Sequence, residues 1–177
     1  MNERIRHLKW ILVDQISDLA TGTGAIRAHI ETMSTEHPPS EQWSICYFRM
    51  CSTFLIVSLS KLWEALNHYG KEISEFPVEL RTDCVSLKKE IERRKIYQFR
   101  SKYAAHIIDN NTNMPLSLSD GAKRYNEIVG EDVAALVAFC DWIFPETDSG
   151  LSTSVILTVT RTRDHCLSLI GPCTERP

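Results

Sequence analysis

Val155-Ile156-Leu157-Thr158-Val159-Thr160 is the run on which the fold class turns. On propensity alone these β-branched residues read as a strand. Leu151, Val155, Val159, Thr162, Cys166 and Ile170 nevertheless recur every three or four positions over twenty residues, as one buried face of a helix does. No second strand-like run is present to pair with it. The segment therefore reads as helix, and the chain as all-α.

Upstream, helical periodicity dominates. Ile5, Leu8, Leu12, Ile16 and Leu19 form one apolar stripe; Thr21-Gly22-Thr23-Gly24 is expected to interrupt it before Ile26, Ile30 and Met33 resume. Residues 34–39, with two prolines, read as a loop. Ser40 is placed to cap a helix with Glu41 in its first turn. That helix is expected to run to about Tyr69, with Trp43, Tyr47, Met50, Phe54, Leu62, Leu66 and Tyr69 near one face and Gly70 as its stop.

Pro77 suits a first helical turn, and Leu80, Cys84, Leu87 and Ile91 supply the next stripe. A further helical block covers residues 96–108 and breaks in the turn-rich Asp109-Asn110-Asn111-Thr112-Asn113-Met114-Pro115. Ser117-Leu118-Ser119-Asp120 resembles a capping box, and helix resumes to Ile128, bends at Gly130 and continues to Pro145. The expectation is a single domain over residues 1–177, an antiparallel bundle of about five to six helices.

Composition bounds the function. The chain has 177 residues, 43% of them hydrophobic and 24% charged, with 7 Gly and 7 Pro, which excludes disordered and collagen-like proteins. A formal charge of −3 excludes a protein that coats nucleic acid by bulk charge. Six cysteines without a CxxC pair suggest neither a zinc ribbon nor a thioredoxin-like site, and the expectation is free thiols with no metal or other cofactor. The apolar run Trp10-Ile11-Leu12-Val13 ends at Asp14 without a signal-peptide plan, and Phe54-Leu55-Ile56-Val57-Ser58-Leu59 is too short to span a bilayer. A cytoplasmic location with no membrane partner is expected.

The sharpest local feature is Ile96-Tyr97-Gln98-Phe99-Arg100-Ser101-Lys102-Tyr103-Ala104-Ala105-His106-Ile107-Ile108. At about 100° per residue, Arg100 falls within the apolar stripe of Ile96, Phe99, Tyr103, Ala104 and Ile107, with His106 at its edge. An arginine there must find a carboxylate, a phosphate or a wet cleft, because it cannot lose its charge. An ion pair with another helix, Glu64 among the candidates, and an anion-receiving site both satisfy that demand. The surroundings are basic: Lys88, Lys89, Arg93, Arg94, Lys95, Arg100 and Lys102 outnumber Glu90 and Glu92 by five charges, so the rest of the chain carries −8. A phosphate would be drawn to this segment, although Glu90–Arg94 pairing on a solvated face accounts for part of it.

Phe99-Arg100-Ser101-Lys102-Tyr103-Ala104-Ala105-His106 resembles the Arg-polar-(x)-His signature of the HEPN superfamily, closest to its abortive-infection branch, where an Arg-Asn-Lys-Tyr-x-Ala-His string is typical. Leu59-Ser60-Lys61-Leu62-Trp63-Glu64 is similar to that branch's second-helix pattern. The resemblance implies a metal-independent endoribonuclease of toxin or phage-defence type, or an RNA- or nucleotide-binding relative without catalysis. It implies a homodimer in which two Arg/His sets line one cleft, and an antitoxin protein as a partner class. Arg100 would hold the scissile phosphate, His106 would move protons at the 2′-hydroxyl and the leaving oxygen, and Ser101 would orient phosphate or water. Arg94, Lys95 and Lys102 would bind substrate, with Glu64 and Lys61 in support. Ser101 stands where the family more often has Asn, Asp or His, and Ile108 stands where some members offer a tyrosine for nucleotidylation.

Other groupings carry less. Lys61, Glu64 and His68 share a helix face, which reads equally as a surface salt-bridge row. Asp164-His165-Cys166 are adjacent on a helix and diverge. Trp43, Phe54, Trp63 and Trp142 sit among aliphatics and are expected in the core.

Overall fold

A computed structural model describes residues 2–101, 108–109, 114–115, 117–147, 154–171 and 176. Within them lie eight helices: α1 (Asn2–Thr32), α2 (Glu41–His68), α3 (Gly70–Ser74), α4 (Val78–Arg93), α5 (Ile96–Phe99), α6 (Leu118–Val129), α7 (Val133–Ile143) and α8 (Val155–Ile170). Two strands, β1 (Ile108–Asp109) and β2 (Met114–Pro115), pair antiparallel with Ile108 opposite Pro115. The architecture is an all-α bundle with more helices than expected, because α3 and α5 are too short to carry a periodicity of their own.

The spine is α1, about 46 Å long at 1.5 Å per residue. It packs against α2 on one side and α8 on the other. Leu8, Leu12, Leu19 and Ile26 of α1 meet Leu55, Ile56, Leu59 and Leu62 of α2, and Val155, Val159 and Cys166 of α8 complete the core. Each such side chain contributes roughly 1.5–3 kcal/mol when fully buried. The helical periodicity of the C-terminal run thus prevails over its β-propensity: α8 buries Val155, Ile156, Val159, Thr162 and Cys166. Ser154 caps it by accepting the Leu157 N–H.

The expected break at Thr21-Gly22-Thr23-Gly24 is not one, since α1 runs through it unbroken. Gly22 is instead a notch for α2: a Cβ there would stand 2.5 Å from Leu55 Cδ2. Thr23 is buried and satisfies its hydroxyl by donating to the Leu19 carbonyl at 2.8 Å. Gly24 faces open space. α2 ends at His68 with Tyr69 as its C-cap, where its end was expected, and Gly70 then opens the short α3.

The buried face of α2 also departs from expectation. Trp43 and Met50 are 61% and 62% exposed, and Phe54 is exposed too, whereas Trp63 and Trp142 pack partly against the core. As far as Leu59 the buried residues of α2 are Ser44, Cys51, Ser52, Leu55, Ile56, Ser58 and Leu59, offset from the aromatic stripe, whereas Leu62, Leu66 and Tyr69 are buried as expected. Ser44 Oγ lies 3.1 Å from the buried His29 Nε2, and Ser52 hydrogen-bonds Tyr125. By length and composition α2 could cross a membrane, but 44% of its apolar window is buried in the bundle.

Other expectations match. Ser40 accepts the Trp43 N–H and Ser117 accepts the Asp120 N–H, capping α2 and α6. Pro77 stands immediately before α4, whose buried residues are Leu80, Cys84, Leu87 and Ile91. Gly130 ends α6 with φ 102, and Asp132 caps α7. The five described cysteines are free thiols. The helix expected over 96–108 is described only as far as 101, and Ile108 is strand.

The two glycines of α1 give opposite expectations for one substitution. Gly24→Ala gains about 0.5–1 kcal/mol from helix propensity in open space. Gly22→Ala forces a methyl onto the fully buried Leu55 and loses about 1–2 kcal/mol net. Chemical denaturation of the two variants checks the pair; equal effects would contradict the notch.

Candidate functional site

The candidate site is built where α4 hands over to α5. Arg94 closes α4, and Lys95 then adopts the left-handed conformation, φ 58 and ψ 25, turning the chain into α5. Lysine gains nothing locally from that geometry, which glycine adopts without steric cost. Ile96, fully buried, anchors α5 to the core, and its carbonyl accepts from Ser60 of α2 at 3.5 Å. After Phe99 the helix widens into a π-type turn at Arg100 and Ser101, a local irregularity frequent at functional positions.

Arg100 does not sit among core side chains. Its side chain is 36% exposed and reaches Glu64, 44% exposed, with 3.4 Å between Nη1 and Oε1. The helical wheel gives Arg100 the side of Ile96 but not its depth: Ile96 is buried, whereas Arg100, past the single turn of α5, stays partly exposed. Among the described residues, Glu64 is the carboxylate that pairs with it. A half-solvated pair at that separation is worth at most about 1 kcal/mol, so an anion can compete with Glu64 for the guanidinium. Ser101 donates its hydroxyl to the Gln98 carbonyl at 3.1 Å. Lys102 and His106 lie outside the described residues.

Beside Glu64, Trp63 packs against Tyr97 with ring centroids 4.4 Å apart, and its Nε1 donates to Glu92 at 2.8 Å. Lys88 lies over the indole and donates to Asn67 Oδ1 at 2.7 Å. Trp63, Tyr97 and Lys88 thus form an aromatic and cationic cluster between α2, α4 and α5, a combination suited to stacking bases and pairing phosphates.

The Lys61-Glu64-His68 row splits in three. Only Glu64 meets Arg100. Lys61 lines a shallow depression with Asp14 and Asp18 of α1, so its expected support of the arginine is not seen. His68 accompanies Arg4, whose guanidinium pairs with the buried Glu72 and donates to the His68 carbonyl. The Arg4 guanidinium holds the Glu72 carboxyl below its ordinary range, as a structural ion pair does.

Arg94 and Lys95 come together in a second concavity between α5 and α6. Its volume is about 220 Å³, and Gln98, Phe99, Arg124, Glu127 and Ile128 complete the lining. Arg94 is held firmly: its Nε donates to Glu90 at 2.8 Å and its guanidinium lies 4.0 Å from the Trp142 ring centroid. Gln98 and Arg124 were missed by sequence reasoning. Arg124 sits on a different helix, and nothing local in the sequence connects it to Lys95.

A larger groove of about 930 Å³ lies between α2, α6 and α7, lined by Ile45, Phe48, Tyr125 and Leu136 among others. Among the described residues no group of three His, Cys, Asp or Glu side chains is placed to hold a metal ion.

No family model and no curated protein matches the chain. Among solved structures the fold is similar to the integron cassette protein Vpc_cass2 from the mobile metagenome of V. paracholerae, with a TM-score of 0.75 and 18% identity. That likeness covers 94% of this chain and 97% of the other. At such identity it speaks to the fold alone.

Glu90 joins Arg93 and Arg94, and their hydrogen bonds pull its carboxyl down to about 2 from 4.5. A carboxyl depressed on folding contributes stability above its unfolded pKa and loses it as pH falls toward the folded value. Stability should therefore fall between about pH 4.5 and 2 more steeply in the parent than in Glu90→Gln. Urea titrations across that window check this; parallel curves would show that Glu90 does not hold Arg94.

Proposed function

We propose that this chain is a HEPN-like, metal-independent endoribonuclease of toxin or phage-defence type, working in the cytoplasm as a homodimer. The observation that carries the reading is Arg100: a half-exposed guanidinium, weakly held by Glu64, at the end of the most cationic stretch of the chain. The motif from Arg100 to His106 supplies the rest of the chemistry.

In this reading two copies bring their motif segments to one cleft. Arg100 neutralises the scissile phosphate with two parallel N–H donors and stabilises the charge that builds on it as the 2′-oxygen attacks. His106 takes the 2′-hydroxyl proton, and a second imidazole or water returns a proton to the departing 5′-oxygen. The phosphorus–5′-oxygen bond breaks as the 2′-oxygen–phosphorus bond forms, leaving a 2′,3′-cyclic phosphate and a 5′-hydroxyl. An antitoxin protein is the partner class that this reading suggests.

A second reading is favoured by Ser101, whose hydroxyl is engaged by the Gln98 carbonyl. A side chain so engaged is withdrawn from phosphate or water, which suits an interaction module that binds RNA or nucleotide without turning it over.

Purified protein should cleave single-stranded RNA in excess chelator to 2′,3′-cyclic ends. Arg100→Ala and His106→Ala should each lower the rate by about 10²–10⁴-fold. RNA binding without cleavage selects the second reading, and activity untouched by either substitution overturns the mechanism. Light scattering at micromolar protein should give a dimer; a monomer there would count against a shared cleft.

A further inference from the structure

We propose that the pocket between α5 and α6 is a phosphate subsite that grips the backbone of single-stranded RNA next to Arg100. The identity of the ligand as RNA rests on the reading above, whereas the preference for a phosphate comes from the pocket itself.

Three cations, Arg94, Lys95 and Arg124, line the pocket against one carboxylate, Glu127. Arg124 donates to Glu127 at 2.7 Å. Glu127 is held below its ordinary carboxylate range by Arg124 first and by Lys95 among others, so the lining side chains keep an excess of positive charge, with Arg94 shared with Glu90 beside the pocket. A concave site with that balance concentrates anions, more so than the same charges on a convex surface. Gln98 adds a carboxamide able to donate to a phosphate oxygen, while Phe99 and Ile128 form an apolar wall against which a ribose can lie.

The cations are positioned rather than merely present. Arg94 is fixed from two sides by Glu90 and the Trp142 ring. Lys95 is the one non-glycine residue with positive φ among the described residues. A left-handed residue just past a helix end is usually glycine, and here it is lysine. At this junction the left-handed turn carries the chain out of α4 and sets Lys95 on the pocket wall. Arg100 lies five residues beyond Lys95, across the single turn of α5, about 7.5 Å of helical rise. That separation is comparable to the step between neighbouring phosphates of one strand. Phe99, the residue before Arg100, lines the pocket, so in this proposal the subsite fixes the register of a neighbouring phosphate while Arg100 meets the reacting group.

The test is fluorescence anisotropy with a labelled 2′-O-methyl single-stranded oligoribonucleotide, which cannot be cleaved, over a series of salt concentrations. Lys95→Gly and Arg124→Gln should each weaken binding about three- to tenfold and each flatten the slope of log affinity against log salt by about 0.7. Lys71→Gln, an exposed lysine on α3, should change neither quantity. The melting temperature of Lys95→Gly should not fall, since glycine accepts the left-handed turn, so weaker binding there is not unfolding. Parent slopes in both pocket variants, an equal loss in Lys71→Gln, or no binding of the oligonucleotide would each overturn the subsite. Displacement by AMP at concentrations as low as those of the oligonucleotide would overturn the strand assignment. Pocket-dependent binding without cleavage of natural RNA would remove the ribonuclease reading and leave the subsite standing; cleavage with unchanged slopes would remove the subsite alone.

Discussion

The close approach of α1 to α2 at Gly22 and Leu55 is the constraint from which the rest of the molecule is hung. Gly22 lets the leucine sink into the spine, and the serines on the inner face of α2 let neighbouring elements come as near. With α2 placed, α5 is placed in turn, because Ile96 buries itself in the core and its carbonyl receives Ser60. Glu64, one turn beyond Ser60, then stands opposite Arg100. A core contact near the middle of the spine thus sets the position of a surface guanidinium.

The molecule uses arginine in two ways, and the difference lies in the partner and the closeness of the pair. Arg4 meets a buried Glu72 and also donates to the His68 carbonyl, tying α1 to the turn between α2 and α3. Arg94 is caught between Glu90 and the Trp142 ring. Both are fasteners. Arg100 has a long, half-exposed pair on an irregular turn. A guanidinium in that state is partly desolvated yet weakly committed, which favours exchange of the carboxylate for a phosphate.

Much of the architecture is legible in the sequence where several turns of periodicity accumulate. α8 spans enough residues for its repeat to outweigh the β-branched run, and Ser40, Ser117 and Pro77 mark helix starts by backbone chemistry that needs no tertiary context. Legibility fails where one residue type serves two purposes. Gly22 looks like a helix breaker but is a packing notch, and the α2 serines look like a polar face but are the inner one. At the site, the motif residues mark Arg100 by their order, yet α5 is a single turn, too short for an angular projection to give depth of burial. Arg124 lies far along the chain from Lys95, and only the packing of α6 on α5 brings the two together.

The central claim is that Glu64 occupies, and yields, the place of a phosphate on Arg100. A double-mutant cycle in RNA affinity measures this directly, using Glu64→Gln, Arg100→Ala and both together with an oligonucleotide that cannot be cleaved. Loss of the competing carboxylate should tighten binding several-fold when Arg100 is present and change nothing when it is alanine. The same gain in both backgrounds, or weaker binding on Glu64→Gln alone, would contradict the account.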